Sequence, residues 1–175
     1  FVEQIKKAPK ETSIIAPRII ETSNGTEQNP LLLKRLNFFE ILLRLIVLSN
    51  NFTYLLSSYI YGKKRALGFG RENKFDLNES KSFDVPFRIY AGHGSIVIFS
   101  EKVLSGGFNL DQTWLYGEEL IGAEYARARE IPIYYMSQLS VRHYSGNSTS
   151  KLDRGKVRKL QYRALRKHFK NAFYA

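Results

Sequence analysis

The sequence predicts an α/β fold in which short strands alternate with helices. The first observation is a set of stretches with the composition of strands, at Ser13–Ile20, Val85–Ser100, Ile131–Met136 and Leu139–Tyr144. The second is a set of longer segments with helical periodicity, of which Gly117–Arg129 has the best pattern. Alternation of this kind is typical of α/β domains and is compatible with a mainly parallel sheet.

The first thirty residues are predicted to form the end of a helix, a buried strand and a loop. Val2–Lys7 has the pattern of the last turns of a helix, and Ser13–Ile20 is short, apolar and rich in isoleucine, as buried strands are. Glu21–Pro30 is polar and contains an Asn-Gly turn signal. Because the chain opens at Phe1 without a signal-peptide pattern, we expect it to be a piece of a longer protein or a processed one.

The most apolar segment, Leu36–Gly62, is predicted to form two helices rather than one membrane span. Asn50 and Asn51 interrupt it near its middle, and a span usually needs about 20 mostly apolar residues. Its charged residues, Glu40 and Arg44, are four positions apart and could pair across one helical turn. The helices could be buried or lie on a membrane surface. We favour burial, because a wide apolar stripe usually faces a core.

The middle of the chain is predicted to be a loop, then extended structure, then a short helix. Gly62–Ser82 is polar and contains several glycines, which is typical of a loop. Val85–Ser100 has the composition of strands on both sides of Gly92-His93-Gly94. A short helix is expected from Ser100 to the pair Gly106-Gly107.

The net charge of +11 is concentrated at the C-terminus, where Lys151–Lys170 contains nine Lys or Arg and one acid. We predict one domain over residues 1–150 and a basic amphipathic C-terminal helix over 151–175, with Asp153–Phe169 as its helical part. A basic arm attracts phosphate in nucleic acid, in anionic lipid or in a phosphorylated substrate. The charge therefore suggests a basic nucleic-acid-binding module as one possible function.

Two adjacent acids, Glu118 and Glu119, follow Gly117 at the start of a predicted helix. Acids in a first helical turn complement the helix dipole by about 0.3–1 kcal/mol each, and from spacing alone this structural role is the favoured interpretation. The alternative is that one carboxylate acts as a general base. Gly122 and Ala123, one turn on from Glu119, would leave space around its carboxylate, which favours the second role.

Two aromatic residues and two histidines are further candidates for function. Trp114 and Tyr116 precede the acids, and flat aromatic rings commonly stack on sugar faces. His143 could be an ordinary surface histidine, or its imidazole could bind a divalent metal or contact a phosphate. His93, which has a glycine on each side, could mark a simple turn or a close approach of the backbone to a ligand.

Taken in order, these motifs resemble the C-terminal half of family 2 glycosyltransferases of the inverting GT-A type. The similarity is carried by Gly92–Ser150, about a third of the chain, and more weakly by Ser13–Ile20. His93-Gly94-Ser95 looks like a subgroup found among bacterial rhamnosyltransferase-like and surface-polysaccharide enzymes. The ordered matches are Gly106-Gly107-Phe108, Tyr116-Gly117-Glu118-Glu119, Arg127, Tyr134-Tyr135 and His143. The resemblance implies a partial GT-A (Rossmann-like) half-domain with a mixed short sheet and flanking helices.

The resemblance also implies an activity: transfer of a sugar from a nucleotide-sugar donor to a hydroxyl of a glycan or lipid-linked acceptor, with inversion, in polysaccharide biosynthesis. It implies that Glu119 is the general base and that Glu118 supports it. It implies a Mg²⁺ or Mn²⁺ cofactor with His143 as a ligand, and Ser145 beside it at the diphosphate. The substrate-binding positions that it implies are Trp114, Tyr116, His93 and Arg127.

The sequence departs from the family pattern in two ways. Position 119 carries glutamate, whereas the family more often has aspartate there. The 175 residues also contain no Asp-x-Asp, which is the metal-binding motif of the family's nucleotide-binding half. We therefore expect a fragment that lacks that half, is inactive alone and can associate with itself through an open sheet edge.

The resemblance implies a cytoplasmic protein, which could work at the inner face of the cell membrane. There the basic helix and Leu36–Gly62 could both contact anionic lipid, and no nucleic-acid partner is expected. The absence of cysteine fits a reducing compartment and excludes disulfides and thiolate metal sites.

Overall fold

The computed structural model describes residues 2–66, 85–108, 116–144 and 151–174. The described residues form six helices and four strands, and the strands make one mixed sheet. This confirms the predicted α/β class with a mixed short sheet. In chain order the elements are α1 (Val2–Ile5), β1 (Ile14–Glu21), α2 (Phe38–Ser49), α3 (Asn51–Ala66), β2 (Phe87–Ile89), β3 (Ile98–Phe99), α4 (Glu101–Ser105), α5 (Glu118–Ala128), β4 (Ile133–His143) and α6 (Arg154–Phe173).

The four strands pair in the order β2-β4-β1-β3, with β4 and β1 at the centre. β1 and β4 run parallel, whereas β2 and β3 pair antiparallel at the two edges. The expectation of a mainly parallel sheet is therefore wrong, because parallel pairing in the described sheet is confined to its central pair.

β4 is one continuous strand, although the sequence predicts two strands, Ile131–Met136 and Leu139–Tyr144. Its pairing follows the whole of β1, with a change of register between Pro17 and Arg18. β1 supplies hydrogen-bonding partners on both sides of this irregularity, so the strand continues across it. The polar residues between the two apolar stretches mark the irregularity and not the end of a strand.

The main core lies between the central strands and α5. β1 is buried along nearly its whole length, which explains its isoleucine-rich composition. Ala123 and Ala126 of α5 pack against Ile14 and Tyr135 of the sheet in one cluster of buried residues. The small side chains let α5 approach the sheet closely.

A buried carboxylate, Glu124, joins α5 to other parts of the fold. Its oxygens accept hydrogen bonds from Arg35 Nε at 2.6 Å, Tyr90 Oη at 2.6 Å and Arg127 Nε at 2.8 Å. Burial acts to raise the pKa of Glu124, but these donors outweigh it, and the pKa is lowered. Arg35 also donates to the carbonyl of Ala172, so the cluster ties α5 to α6.

α6 packs antiparallel to α2. Phe38, at the start of α2, contacts Phe169 and Phe173, near the end of α6, with ring centroids 5.2 and 5.5 Å apart. At the opposite end of the pair, Arg158 donates a hydrogen bond to the carbonyl of Leu48. α6 also packs on α5, and it continues to Phe173, beyond the end predicted from the sequence.

α2 and α3 are separated at Asn50, which confirms the predicted break. The two helix axes are bent by 113° there. Among the described helices, none is long and apolar enough to cross a membrane by itself, although this bent pair meets the same length and composition limits when taken together. The expected burial of the segment is wrong: α2 buries Ile41, whereas most large apolar side chains of the two helices are exposed.

The start of α2 is fixed by a capping box. Asn37 Oδ1 accepts the Glu40 N–H at 2.9 Å, and the Glu40 carboxylate accepts the Asn37 N–H at 2.7 Å. Glu40 is thus used at the helix start, and the ion pairs between described residues do not include one from Glu40 to Arg44.

Most other predicted elements are confirmed within a residue or two. α4 ends before Gly106 and α5 begins after Gly117, as the glycine signals indicate. The loop predicted over Gly62–Ser82 is wrong at its start, because α3 continues to Ala66. The rest of that loop, residues 67–82, lies outside the described residues.

Candidate functional site

A cavity of about 280 Å³ lies between the start of α5 and the segment that joins β2 to β3. Its wall is mainly apolar, and its charged lining residues are Glu118 and Glu119. The β2–β3 segment contributes Gly92, Gly94 and Ser95 to the wall, and α5 adds Gly122 and Ala123. Gly122 and Ala123, which the sequence suggests leave space near Glu119, both line this cavity, and a Cβ on Gly122 would stand 3.3 Å from Phe108 Cζ.

Glu119 is held at the cavity wall by its own helix start. Gly117 is the N-cap of α5 in the left-handed region, with φ of 81°. Its N–H donates to Glu119 Oε2 at 3.1 Å. A Cβ on Gly94 would stand 2.8 Å from Glu119 Oε1, so the backbone of Gly94 lies directly against the carboxylate. Glu119 therefore serves the helix start and faces the cavity at the same time.

Glu118 is in a different electrostatic environment from its neighbour. Its Oε2 is buried and has no hydrogen-bond partner among the described residues. Burial raises the pKa of Glu118, and the charge of Glu119 adds to that rise, whereas a backbone hydrogen bond and His93 act against it. The carboxyl of Glu118 is thus more readily protonated than an ordinary glutamate.

His93 and His143 lie side by side, with ring centroids 6.0 Å apart. Ser95 lies between them: its Oγ is 2.8 Å from His93 Nδ1 and 3.4 Å from His143 Nδ1. Gln28 Oε1 is 3.0 Å from His143 Nδ1. Burial lowers the pKa of His93, the neighbouring His143 lowers it further, and Glu118 opposes both effects. His93 is therefore favoured in its neutral form.

The tautomer of His93 follows from one hydrogen bond. The backbone N–H of Ser95 donates to His93 Nδ1 at 3.2 Å. A ring nitrogen that accepts an N–H carries no proton itself, so in neutral His93 the proton is on Nε2. Nε2 can then donate a hydrogen bond to an oxygen of a ligand.

Asn29 holds the His93 segment against the central strand. Its Oδ1 accepts the His93 N–H at 2.7 Å, and its Nδ2 donates to the Pro17 carbonyl at 2.7 Å. A Cβ on Gly92 would stand 2.7 Å from the Cβ of Ala16, so the segment approaches the strand as closely as a glycine allows. Asn29 is buried, and it fixes the position of His93 relative to β1.

Four of the predicted site residues come together. Glu118 and Glu119 come from the first turn of α5, His93 from the β2–β3 segment and His143 from the end of β4. Glu119 contacts the residue after His93, and His143 contacts His93 through Ser95. Residues from three distant parts of the sequence thus share one site.

Two other predicted residues, Arg127 and Tyr116, lie in the described part of the chain but outside this group. Arg127 donates to Glu124 near the other end of α5, so its position is explained by that cluster. Tyr116 is half-buried and directly precedes the N-cap of α5. Trp114 and Ser145 lie outside the described residues.

Sequence analysis missed Gln28 and Asn29, and it did not assign a role to Ser95. All three contact the histidine pair. Gln28 and Asn29 follow the carboxyl end of the central strand β1, where α/β folds gather the groups that bind ligands. Their position after a buried strand is the signal that could have identified them.

The described residues do not by themselves fit a bound Mg²⁺ or Mn²⁺. They contain no group of three His, Cys, Asp or Glu side chains arranged to hold a metal ion. Mg²⁺ prefers a shell of oxygen ligands, most often carboxylates and water. Any metal at this site would need ligands from outside the described residues.

Comparison of the chain with protein-family models, curated proteins and solved structures finds no match. Function is therefore argued from the chemistry of the site. The site combines an oriented carboxylate, a second carboxyl that is more readily protonated, and a neutral histidine that can donate through Nε2. This set can remove a proton from a hydroxyl and hydrogen-bond to the oxygens around it.

Proposed function

We propose that this chain carries the acceptor side and the general base of an inverting glycosyltransferase. The donor is a nucleotide sugar, and the acceptor is a hydroxyl of a glycan or of a lipid-linked saccharide, as in polysaccharide biosynthesis. The observation that carries the proposal is a cavity lined by Glu118, Glu119 and Ser95, with the His93–His143 pair held beside it through Ser95. These residues also follow one another in the order that the motif resemblance implies.

In this proposal Glu119 takes the proton of the acceptor hydroxyl while that oxygen attacks the anomeric carbon of the donor. The new glycosidic bond forms as the bond to the nucleoside diphosphate breaks, and attack from the opposite face inverts the anomeric centre. The hydrogen bond from Gly117 to Glu119 Oε2 limits the rotation of the carboxylate and leaves Oε1 toward the Gly94 side. A base that is oriented before the substrate arrives loses less entropy in the reaction.

Glu118 and His93 bind the acceptor in this mechanism. The raised pKa of Glu118, caused mainly by burial, favours a protonated carboxyl that can donate a hydrogen bond to a sugar oxygen. Neutral His93 donates from Nε2. The apolar wall of the cavity, which includes Phe99 and Phe108, suits the C–H face of a sugar ring.

The donor's diphosphate needs more binding groups than the described residues supply. No Asp-x-Asp occurs in the 175 residues, and the described residues hold no three-ligand metal group. The proposal therefore requires residues outside this chain to bind the donor and any metal. It predicts that the isolated chain does not bind nucleotide sugars tightly.

The test uses the full-length protein that contains this chain. It is incubated with UDP-, GDP- and dTDP-sugars and a panel of saccharide acceptors, with Mg²⁺ or Mn²⁺ present. We expect one donor to release its nucleoside diphosphate and to give a product of inverted anomeric configuration, measured by NMR. A product of retained configuration would contradict the proposal, as would the absence of turnover with every donor. Calorimetry on the isolated chain is the companion measurement, and tight donor binding there would refute the requirement for outside residues.

A further inference from the structure

An apolar surface runs along the outer sides of α2 and α3. Phe39 is 78% exposed and Phe52 is 74% exposed, which is unusual for residues of this size. The exposed residues recur every three or four positions, so they form one stripe on each helix. We call this set the α2–α3 apolar surface, and its members are Phe39, Leu42, Leu43, Ile46, Phe52, Leu55, Leu56 and Ile60.

The packing of the described residues does not account for this surface. α2 already uses a different stripe for packing, with Ile41, Leu45 and Leu48 in a cluster that includes Leu165 and Phe169 of α6. The residues of the apolar surface are therefore additional to those that attach α2 to the core. Contiguous exposed apolar patches on soluble proteins usually mark an interaction site.

A basic stripe runs along the neighbouring helix α6. Its exposed cations are spaced by three or four residues and so share one face, whereas Ala164, Leu165 and His168 on the opposite face are buried. No acid occurs between Arg154 and Phe173. We call this set the α6 basic stripe, and its members are Lys156, Lys159, Arg163, Arg166 and Lys170.

The two surfaces lie close together. α2 and α6 are in contact along their length, from Phe38 with Phe173 to Leu48 with Arg158. The axes of packed helices are about 8–10 Å apart, so the apolar surface and the basic stripe lie on adjacent helices. Interfacial helices bury their apolar side about 5–10 Å below the headgroups, which leaves neighbouring cations at the level of the phosphates.

We propose that the α2–α3 apolar surface and the α6 basic stripe together dock the protein on an anionic lipid bilayer, with α2 and α3 lying in the interface. Neither helix is long enough to span. At about 1.5 Å per residue, α2 and α3 reach about 18 and 24 Å, whereas the hydrocarbon layer is about 30 Å thick. The bend of 113° between them also prevents a straight crossing.

Charge decides between a bilayer and the other partners that could cover this surface. A symmetric contact between two copies through the apolar surface would leave the α6 basic stripe without an anionic partner, because the stripe contains no acid. Nucleic acid would pair with the basic stripe but would leave the apolar surface in water. An anionic bilayer satisfies both features at once. This inference does not depend on the glycosyl-transfer proposal.

The test measures partitioning of the full-length protein onto sucrose-loaded vesicles. One set contains equal parts of phosphatidylglycerol and phosphatidylcholine, and the other contains phosphatidylcholine alone. The basic-stripe variant K159Q/R163Q/R166Q should bind the anionic vesicles on the order of 100-fold more weakly, because each cation near such a surface adds about fivefold. The apolar variant F39S/L43S/I46S should bind at least about tenfold more weakly, because it buries three fewer apolar side chains.

Two control variants match these changes elsewhere on the surface. V2S/V85S/L104S removes three exposed apolar side chains, and K7Q/K10Q/K102Q removes three exposed cations. Both should partition as the unchanged protein does. All the changed residues are exposed, so circular dichroism should show the same folded spectrum for every variant.

The proposal would be overturned by three results. One is equal binding to the two kinds of vesicle. Another is unchanged vesicle binding by F39S/L43S/I46S, which would show that the apolar surface does not contribute to the contact. A third is a dimer in analytical ultracentrifugation that F39S/L43S/I46S converts to a monomer, in a protein that does not bind vesicles. Because the assay contains no sugar substrate, a failure here leaves the test of glycosyl transfer unaffected.

Discussion

The carboxylate of Glu119 lies against the backbone of Gly94. A Cβ on Gly94 would stand 2.8 Å from Glu119 Oε1 and 3.0 Å from its Cδ. The other oxygen, Oε2, accepts the Gly117 N–H at 3.1 Å. The side chain is thus held between the start of its own helix and the segment that carries His93. This contact joins two parts of the site that are 25 residues apart in the sequence.

Replacing Gly94 by alanine should impair the site more than the fold. The new methyl group meets the end of a flexible side chain, so Glu119 can move aside and the free energy of unfolding should change by less than about 1 kcal/mol. A misplaced base should lower kcat of the full-length protein on the order of 10- to 100-fold. Gly106→Ala is the control, because its Cβ would also be crowded, 3.2 Å from Tyr125 Oη and the Lys102 carbonyl oxygen, but outside the cavity. Equal kcat values for the two variants would contradict the role given to the Gly94 contact.

Replacing Gly117 by alanine should destabilise the protein strongly. Gly117 has φ of 81°, and its Cβ would stand 2.6 Å from the Cβ of Ala164 in α6. A left-handed alanine costs about 1–2 kcal/mol, and overpacking adds about 1–3 kcal/mol. Gly25→Ala is the matched control, because Gly25 has φ of 67° with open space around it. This variant should lose only the stability that the left-handed backbone costs, without the cost of overpacking. Urea unfolding measures the free energy of unfolding of both variants. Equal losses of stability in the two would show that α5 and α6 are not packed as described.

Replacing Glu124 by glutamine should destabilise the protein in a pH-dependent way. At neutral pH the change removes the charge that Arg35 and Arg127 share, which should cost about 1–3 kcal/mol. The pKa of Glu124 is lowered from its ordinary value of 4.5. A lowered carboxyl pKa gives stability that is fully present above the unfolded pKa and is lost as the pH falls through the folded one. The difference in free energy of unfolding between E124Q and the unchanged protein should therefore become smaller below pH 4.5.

Urea unfolding at a series of pH values checks the Glu124 prediction. Glu101→Gln is the control, because Glu101 is an exposed acid in the first turn of α4. Its effect should stay below about 0.5 kcal/mol at neutral pH. A difference for E124Q that stays constant from neutral pH to pH values well below 4.5 would contradict the ionised state of Glu124.

The elements that the sequence predicts correctly are those with local signals. The isoleucine run at Ser13–Ile20 identifies β1 because a strand buried in this way needs apolar side chains throughout. Gly117 followed by two acids identifies the start of α5 because each feature satisfies a helix N-terminus. Asn50 separates α2 from α3 and accepts the Thr53 N–H at 2.9 Å, which is the hydrogen bond of a helix start.

The features that sequence analysis did not find depend on distant partners. β4 continues through its irregular centre because β1 pairs with it on both sides, and nothing within β4 specifies that partner. α2 has two apolar faces, and the sequence does not say which of them α6 covers. The motif resemblance implies a substrate-binding role for Arg127, yet in this fold Arg127 joins Glu124, which also accepts hydrogen bonds from Arg35 and Tyr90.

The site is predictable in part for the same reason. Glu118, Glu119, His93 and His143 are singled out by residue type and order along the chain; the two acids line the cavity, and the two histidines lie beside it around Ser95. Asn29 is different, because its role is to hold the His93 segment against β1 through two hydrogen bonds. A positioning residue of this kind is recognised only when both of its partners are placed.

The most direct test of the proposed function is the turnover of the full-length protein with Glu119 replaced by glutamine. Glutamine keeps the size of the side chain and can still accept the Gly117 N–H, but it cannot take a proton. We expect kcat to fall about 10²- to 10⁴-fold, while the free energy of unfolding changes little. Glu101→Gln, which removes a first-turn acid outside the cavity, should keep full turnover. Turnover of E119Q equal to that of the unchanged protein would show that Glu119 is not the base.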